Sequence, residues 1–156
     1  GDKLYRRGMY TFLKRSVPYP ALVTFDSPNR EICACKREVT NTPLQAFVTL
    51  NETTFVEAAR RFAERILREG GDNTTDRLHY AYEHALARPP QPKEVDVLAG
   101  LKTASLETYC ANVDAASKYV SIGESPVPAD LSLPDLAAWT TVASAILNLD
   151  EAVTKE

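Results

Sequence analysis

Residues 52–69 read ETTFVEAARRFAERILRE, and their spacing settles the class of the fold. Phe55, Val56, Ala59, Phe62, Ala63, Ile66 and Leu67 recur at three- and four-residue intervals, which places them in one apolar stripe along an α-helix. Glu57–Arg61 and Glu64–Arg68 stand one turn apart, as ion pairs do on a solvated helical face. Gly70-Gly71 ends the helix in the left-handed backbone that glycine permits. Asn51, just ahead of it, reads as its N-cap.

Toward the C-terminus the same period continues. A polar cap at Asp72–Asp76 opens a helix to about Arg88, with Leu78, Ala81, Tyr82, Ala85 and Leu86 as its apolar stripe. Pro92, with Glu94 behind it, starts a long helix. Val95, Leu98, Leu101, Leu106, Tyr109, Val113, Ala116 and Val120 keep its register to about Ile122. A proline-containing loop covers 123–133, and Ser132-x-x-Asp135 reads as a capping box around Pro134. The last helix carries Leu136, Trp139, Ala143, Ile146 and Leu147 and ends near Asp150.

Toward the N-terminus the pattern weakens. Leu4, Tyr5, Met9, Phe12 and Leu13 suggest a helix over residues 2–15. Pro18 and Pro20 end it and predict an extended segment, with room for a short strand, anchored by Val23, Phe25, Ile32 and Cys33. Thr42-Pro43 reads as a cap and first turn of a short helix to about Leu50, bearing Leu44, Phe47 and Val48. The fold expected is all-α: a single domain, one bundle of five to six helices, with a long irregular polar segment near the N-terminus. That segment is expected to lie across the stripe of residues 52–69, with Phe25 and Ile32 inserted and Arg30 paired to a carboxylate.

A length of 156 residues suits one domain with a sizeable core. The net charge of −3 gives no electrostatic case for nucleic acid or membrane binding. No apolar run approaches a bilayer span, and no signal peptide stands at the start. The opening Gly-Asp-Lys, without an initiator Met, suggests a piece excised from a longer protein.

Chemistry-bearing residues concentrate in the polar segment. Asp26, Arg30, Glu31, Asn41, Gln45 and Asn51 form the candidate cluster. Asp26, Arg30, Glu31 and Glu38 have the composition of an acid–base site. A hydrogen-bonded scaffold is the favoured reading, because an irregular segment satisfies its backbone through such side chains. Cys33-Ala-Cys35 beside Lys36-Arg37 invites a redox reading, since nearby cations favour the thiolate. Against it, Cys-x-Cys pairs rarely bridge each other, and Cys33 suits burial as a small apolar residue. His79 and His84 are separated by about 140° around one helix and cannot grip a metal together. The sequence names no catalytic residue, no metal ligand set and no cofactor site.

The polar segment also carries a resemblance. Tyr10-x-Phe12-x-Lys14-Arg15, Phe25-Asp26-x-Pro28-x-Arg30-Glu31-x-Cys33, Thr40-Asn41-Thr42-Pro43-Leu44-Gln45-Ala46, Leu50-Asn51 and Phe55-Val56-Glu57-Ala58-Ala59 resemble the planctomycete-type family of unknown function 1553, also called planctomycete-specific domain one. Ala87-Arg88-Pro89-Pro90-x-Pro92-x-Glu94 and the segment from Ala138-Trp139 to Leu147-Asn148-Leu149-Asp150-Glu151 resemble its closing parts. Cys35 stands where the family has an aliphatic residue, and Gln91 where it has a threonine or serine cap. The resemblance implies the C-terminal part of a large exported or periplasmic protein, often one with a c-type cytochrome segment. It transfers no catalytic residue. The function expected is a helical interaction or structural module with no demonstrated catalysis, the enzyme question leaning to no but left open, whose partners are other domains of its parent, with a haem domain as one candidate. The alternatives are part of a secreted polysaccharide-binding or polysaccharide-degrading protein, with Tyr5, Tyr10, Phe12 and Tyr19 beside Asp26 and Glu31, and a docking module for a c-type cytochrome domain.

Overall fold

The computed structural model describes residues 5, 6, 8–12, 14, 16–28, 33, 35, 36 and 40–154. The described residues form α-helices and no strand, which makes the protein all-α. They fall into two compact units, residues 1–48 and 49–156.

In the first unit the described part of residues 5–17 contains a 3-10 turn, Gly8–Tyr10, in place of the expected helix. Met9 and Phe12 are exposed, so no buried stripe supports a longer helix there. The expected extended segment is also corrected. Pro20 stands at the first position of helix α1, Pro20–Thr24, where its fixed φ favours helix and its missing N–H costs nothing. Helix α2, Pro43–Asn51, follows as expected, its first six residues in this unit and its last three in the second.

The second unit is a bundle around one central, mostly buried helix. Helix α3 is Thr53–Glu69, α4 Thr74–Leu86, α5 Pro92–Ala111, α6 Val113–Val120, α7 Leu133–Leu147 and α8 Asp150–Val153. Helix α7 packs against α3, α4, α5, α6 and α8. It buries Leu136, Ala137, Ala138, Trp139, Val142, Ala143 and Ile146, residues from all round its circumference, as a central helix must. The α3 stripe meets it through Ala59, Ala63 and Ile66, and α4 contributes Leu78, Ala81 and Tyr82 to the same core.

Three boundaries differ from expectation. Asn51 is the last residue of α2, and Glu52 caps α3, its carboxylate accepting the Thr54 N–H at 3.0 Å. The long helix from Pro92 breaks at Asn112, whose side-chain oxygen accepts the Ala115 N–H at 3.0 Å and so caps α6. A local bond of this kind competes with the continuing helix, and the restart turns Ala116 and Val120 into the core. Ser132 precedes α7 without a side-chain cap bond, so the expected capping box does not form. Gly71, at φ +86°, supplies the left-handed residue after α3.

Candidate functional site

The polar cluster is built by two helix ends. Asp26 follows α1 with φ +56°, a position usually taken by glycine. The Asp26 N–H donates to the Val23 carbonyl at 3.1 Å and the Ser27 N–H to the Leu22 carbonyl at 2.9 Å. This pair of bonds closes the helix in a Schellman motif. The turn leaves the Asp26 carboxylate facing Thr40, whose N–H and hydroxyl both donate to Oδ2 at 2.8 Å.

Gln45 completes the arrangement from α2 and is 2% exposed. Its Oε1 accepts the Thr42 N–H at 3.2 Å, while its own N–H donates to Thr42 Oγ1 at 3.4 Å. These reciprocal bonds are a capping box, with Gln at the third helical position. Its Nε2 donates to the Thr24 carbonyl at 2.9 Å, to Thr40 Oγ1 at 3.2 Å and to Asp26 Oδ2 at 3.4 Å. Asp26, Thr40 and Gln45 therefore point into one another, and the bonds hold the two ends of the 26–40 segment together. The Asp26 carboxylate thus accepts from a backbone amide, a hydroxyl and a side-chain amide. Asn41 and Asn51 are exposed. Arg30, Glu31 and Ile32 lie outside the described residues.

Cys33 is exposed, as is Cys35, which corrects the expected burial of Cys33. Tyr5, Tyr10, Phe12 and Tyr19 are exposed as well. Helix α2 is inverted relative to an ordinary amphipathic helix. Leu44, Phe47 and Leu50 share one face and are 58%, 63% and 45% exposed, while the buried face carries Gln45.

A second cluster escapes sequence reading. Arg60 and Glu64 are 1% and 2% exposed, and Glu57 is buried beside them. The expectation of a solvated face fails at these three positions. Arg60 Nη1 donates to Glu64 Oε1 at 2.6 Å and to the Pro126 carbonyl at 3.2 Å. Arg60 Nη2 donates to the Ser125 carbonyl at 2.9 Å and also to Ser125 Oγ. The Glu57 carboxylate accepts the Ser125 N–H at 2.8 Å and the Glu124 N–H at 3.1 Å. Glu64 takes a second cation, Arg61, at 2.6 Å. Buried charges persist only when paired and hydrogen-bonded in this way. The array straps the 123–126 turn onto α3. Its one sequence signal is Gly123, at φ +105°, where a Cβ would sit 2.2 Å from Glu57 Oε2.

Arg88 makes a third, partly exposed cluster. Its guanidinium holds Glu94 at 2.8 Å and Glu151 at 2.7 Å and lies 5.3 Å from the centre of the Tyr82 ring. The Arg88 bond, followed by the Gln91 N–H, pulls the Glu94 carboxyl down to about 2, and Glu151 is lowered by the same arginine. On the α3–α4 surface Tyr80 donates to Glu69 and stacks on His84, with ring centres 3.8 Å apart. Burial and then the Glu69 bond raise the Tyr80 hydroxyl. All three clusters join secondary elements.

No curated protein and no solved structure matches the chain. The sequence model of one family, PSD1, proteins of unknown function (DUF1553), matches residues 1–101, a span that takes in the Asp26–Gln45 network, all of α3 and the Arg88–Glu94 pair but stops short of α7. With well over half of its length matched, and with the Phe25-Asp26 and Thr40-to-Ala46 strings inside that span, the chain belongs to the DUF1553 family.

Proposed function

We propose that this chain is a helical docking module of a larger exported protein, and that it joins that protein's other domains through the outer face of α2. One observation carries the reading: α2 buries Gln45 and turns Leu44, Phe47 and Leu50 outward. Large apolar side chains about one turn apart on an exposed helical face are the means by which an amphipathic helix enters an apolar groove. Of the exposed large apolar side chains among the described residues, all but Val97 and Val113 lie between residues 5 and 50. The α2 sequence contains no charged residue, so its complement is an uncharged, apolar surface. In this reading the polar network is scaffold that fixes α2, the module performs no catalysis, and a c-type cytochrome domain is one of the domains it serves.

The test replaces Leu44, Phe47 and Leu50 together with Ser and measures co-purification with separately expressed remaining domains of the parent. The expected result is lost association with an unchanged thermal midpoint. An unchanged association refutes the reading, and so does an unfolded variant, which would make this face part of the core. The exposed Tyr5, Tyr10, Phe12 and Tyr19 rings favour a second reading, a polysaccharide-binding surface. A glycan array separates the two: binding that disappears on changing Tyr10 and Tyr19 to Ala supports the second, and an empty array removes it.

A further inference from the structure

Cys33 and Cys35 lie in the sequence between Asp26 and Thr40, the two residues that the network joins. The chain leaves the network at Asp26 and returns to it at Thr40, with the junction fixed by the 2.8 Å bonds from the Thr40 N–H and hydroxyl. Between these ends, Cys33 and Cys35 both carry free, exposed thiols, and the backbone bends at Cys35 and Lys36. Two residues of chain span at most about 7 Å, so the two Cα atoms are never far outside the range a disulfide accepts. The scarcity of Cys-x-Cys bridges as permanent cross-links reflects the strain of so small a ring. Strain and exposure together are the attributes of a bond that exchanges.

We propose that Cys33 and Cys35 form a reversible dithiol–disulfide pair that exchanges with low-molecular-weight disulfides of the glutathione type. One cysteine thiolate attacks a sulfur of the small disulfide, the S–S bond breaks, and one small thiolate leaves. The neighbouring thiolate then attacks the protein sulfur of the mixed disulfide and expels the second small thiolate. Two protein thiols are oxidised, one small disulfide is reduced to two thiols, and the two protons released from the protein pass to the leaving groups. The second step is intramolecular, which gives it a high effective concentration and keeps the mixed disulfide from accumulating. Cys110, exposed on α5 far away in sequence, has no thiol neighbour in its own segment and serves as the reference.

The test incubates the reduced whole chain with mixtures of oxidised and reduced glutathione, quenches with acid, alkylates the remaining thiols and maps the peptides by mass. The expected wild-type product is an unalkylated peptide with Cys33 and Cys35 joined, two hydrogens lighter than the dithiol and restored by excess reduced glutathione. In Cys35→Ala the Cys33 glutathione adduct should rise on the order of tenfold over wild type, while the adduct at Cys110 stays the same in both. Three results overturn the proposal: glutathione on Cys33 and Cys35 separately in the wild type, alkylation of both at every ratio tested, or covalent chain-to-chain dimers in place of the internal bond.

Discussion

Gly123→Ala is the sharpest probe of the buried charge array. The new methyl would lie 2.2 Å from Glu57 Oε2 and 2.4 Å from Glu57 Cδ, on a residue whose φ is +105°. Holding a residue with a Cβ in left-handed backbone costs roughly 1–2 kcal/mol. Moving the Glu57 carboxylate aside sacrifices at least one of its bonds to the Glu124 and Ser125 N–H groups, each charge-assisted and worth roughly 1.5–3 kcal/mol. The sum is about 4 kcal/mol, a fall in the thermal midpoint of roughly 15 °C for a unit of this size. Urea denaturation followed by far-UV circular dichroism measures it. The decisive comparison is a double-mutant cycle with Glu57→Ala. Once Glu57 is truncated the clash is gone, and Gly123→Ala should cost only the backbone share of about 1–2 kcal/mol. Equal costs in both backgrounds would refute the reasoning, because the loop would then not be held by contact with Glu57.

Arg60→Met should lower stability by about 3–5 kcal/mol in urea titrations, since it removes the cation next to buried Glu57 and leaves Glu64 with Arg61 alone. Asp26→Ala should make limited proteolysis within residues 27–39 several-fold faster while leaving the bundle's thermal midpoint in place. Asp26→Asn, which tolerates left-handed backbone, should be milder. Glu94 is held down at about 2 against an ordinary 4.5, so the folded state binds fewer protons there than the unfolded state. Its contribution is complete above pH 4.5 and disappears as the pH falls toward 2. Arg88→Met should flatten the acid limb of the stability profile in that window, and an unaltered limb would count against the Arg88 bond as its cause.

The bundle was legible because period alone placed the α3, α4 and α7 stripes, and proline placed the starts of α2, α5 and α7. Where period is weak, position decides. Pro20 opens a helix as readily as it ends one, and nothing local distinguishes the two roles. Asn112 looked like an interior helical residue until its side chain proved to cap the next helix. The α3 charges were harder still. Glu57, Arg60 and Glu64 match an exposed ion-paired face, and only the turn from Gly123 to Pro126, some sixty residues on, makes that face an interior. In the polar cluster, the Asp26 and Gln45 residue types indicated hydrogen bonding, whereas Thr40 lies outside the residues singled out. Their partners were set by a Schellman turn and a capping box, which depend on backbone angles more than on composition.

The position of α7 has a consequence for the order of events during synthesis. The helix that completes the core is residues 133–147, so it emerges from the ribosome after every other element of the bundle except α8. Until then Ala59, Ala63 and Ile66 of α3 lack their main apolar cover. Until α7 is made, the nascent bundle therefore leaves part of this apolar surface uncovered while synthesis proceeds at about 5–20 residues per second. Chains arrested or cut ahead of residue 133, including any trimmed to the matched span of 1–101, would be targets for holdase chaperones and for degradation. Quality control would accordingly act on the segment that carries α7.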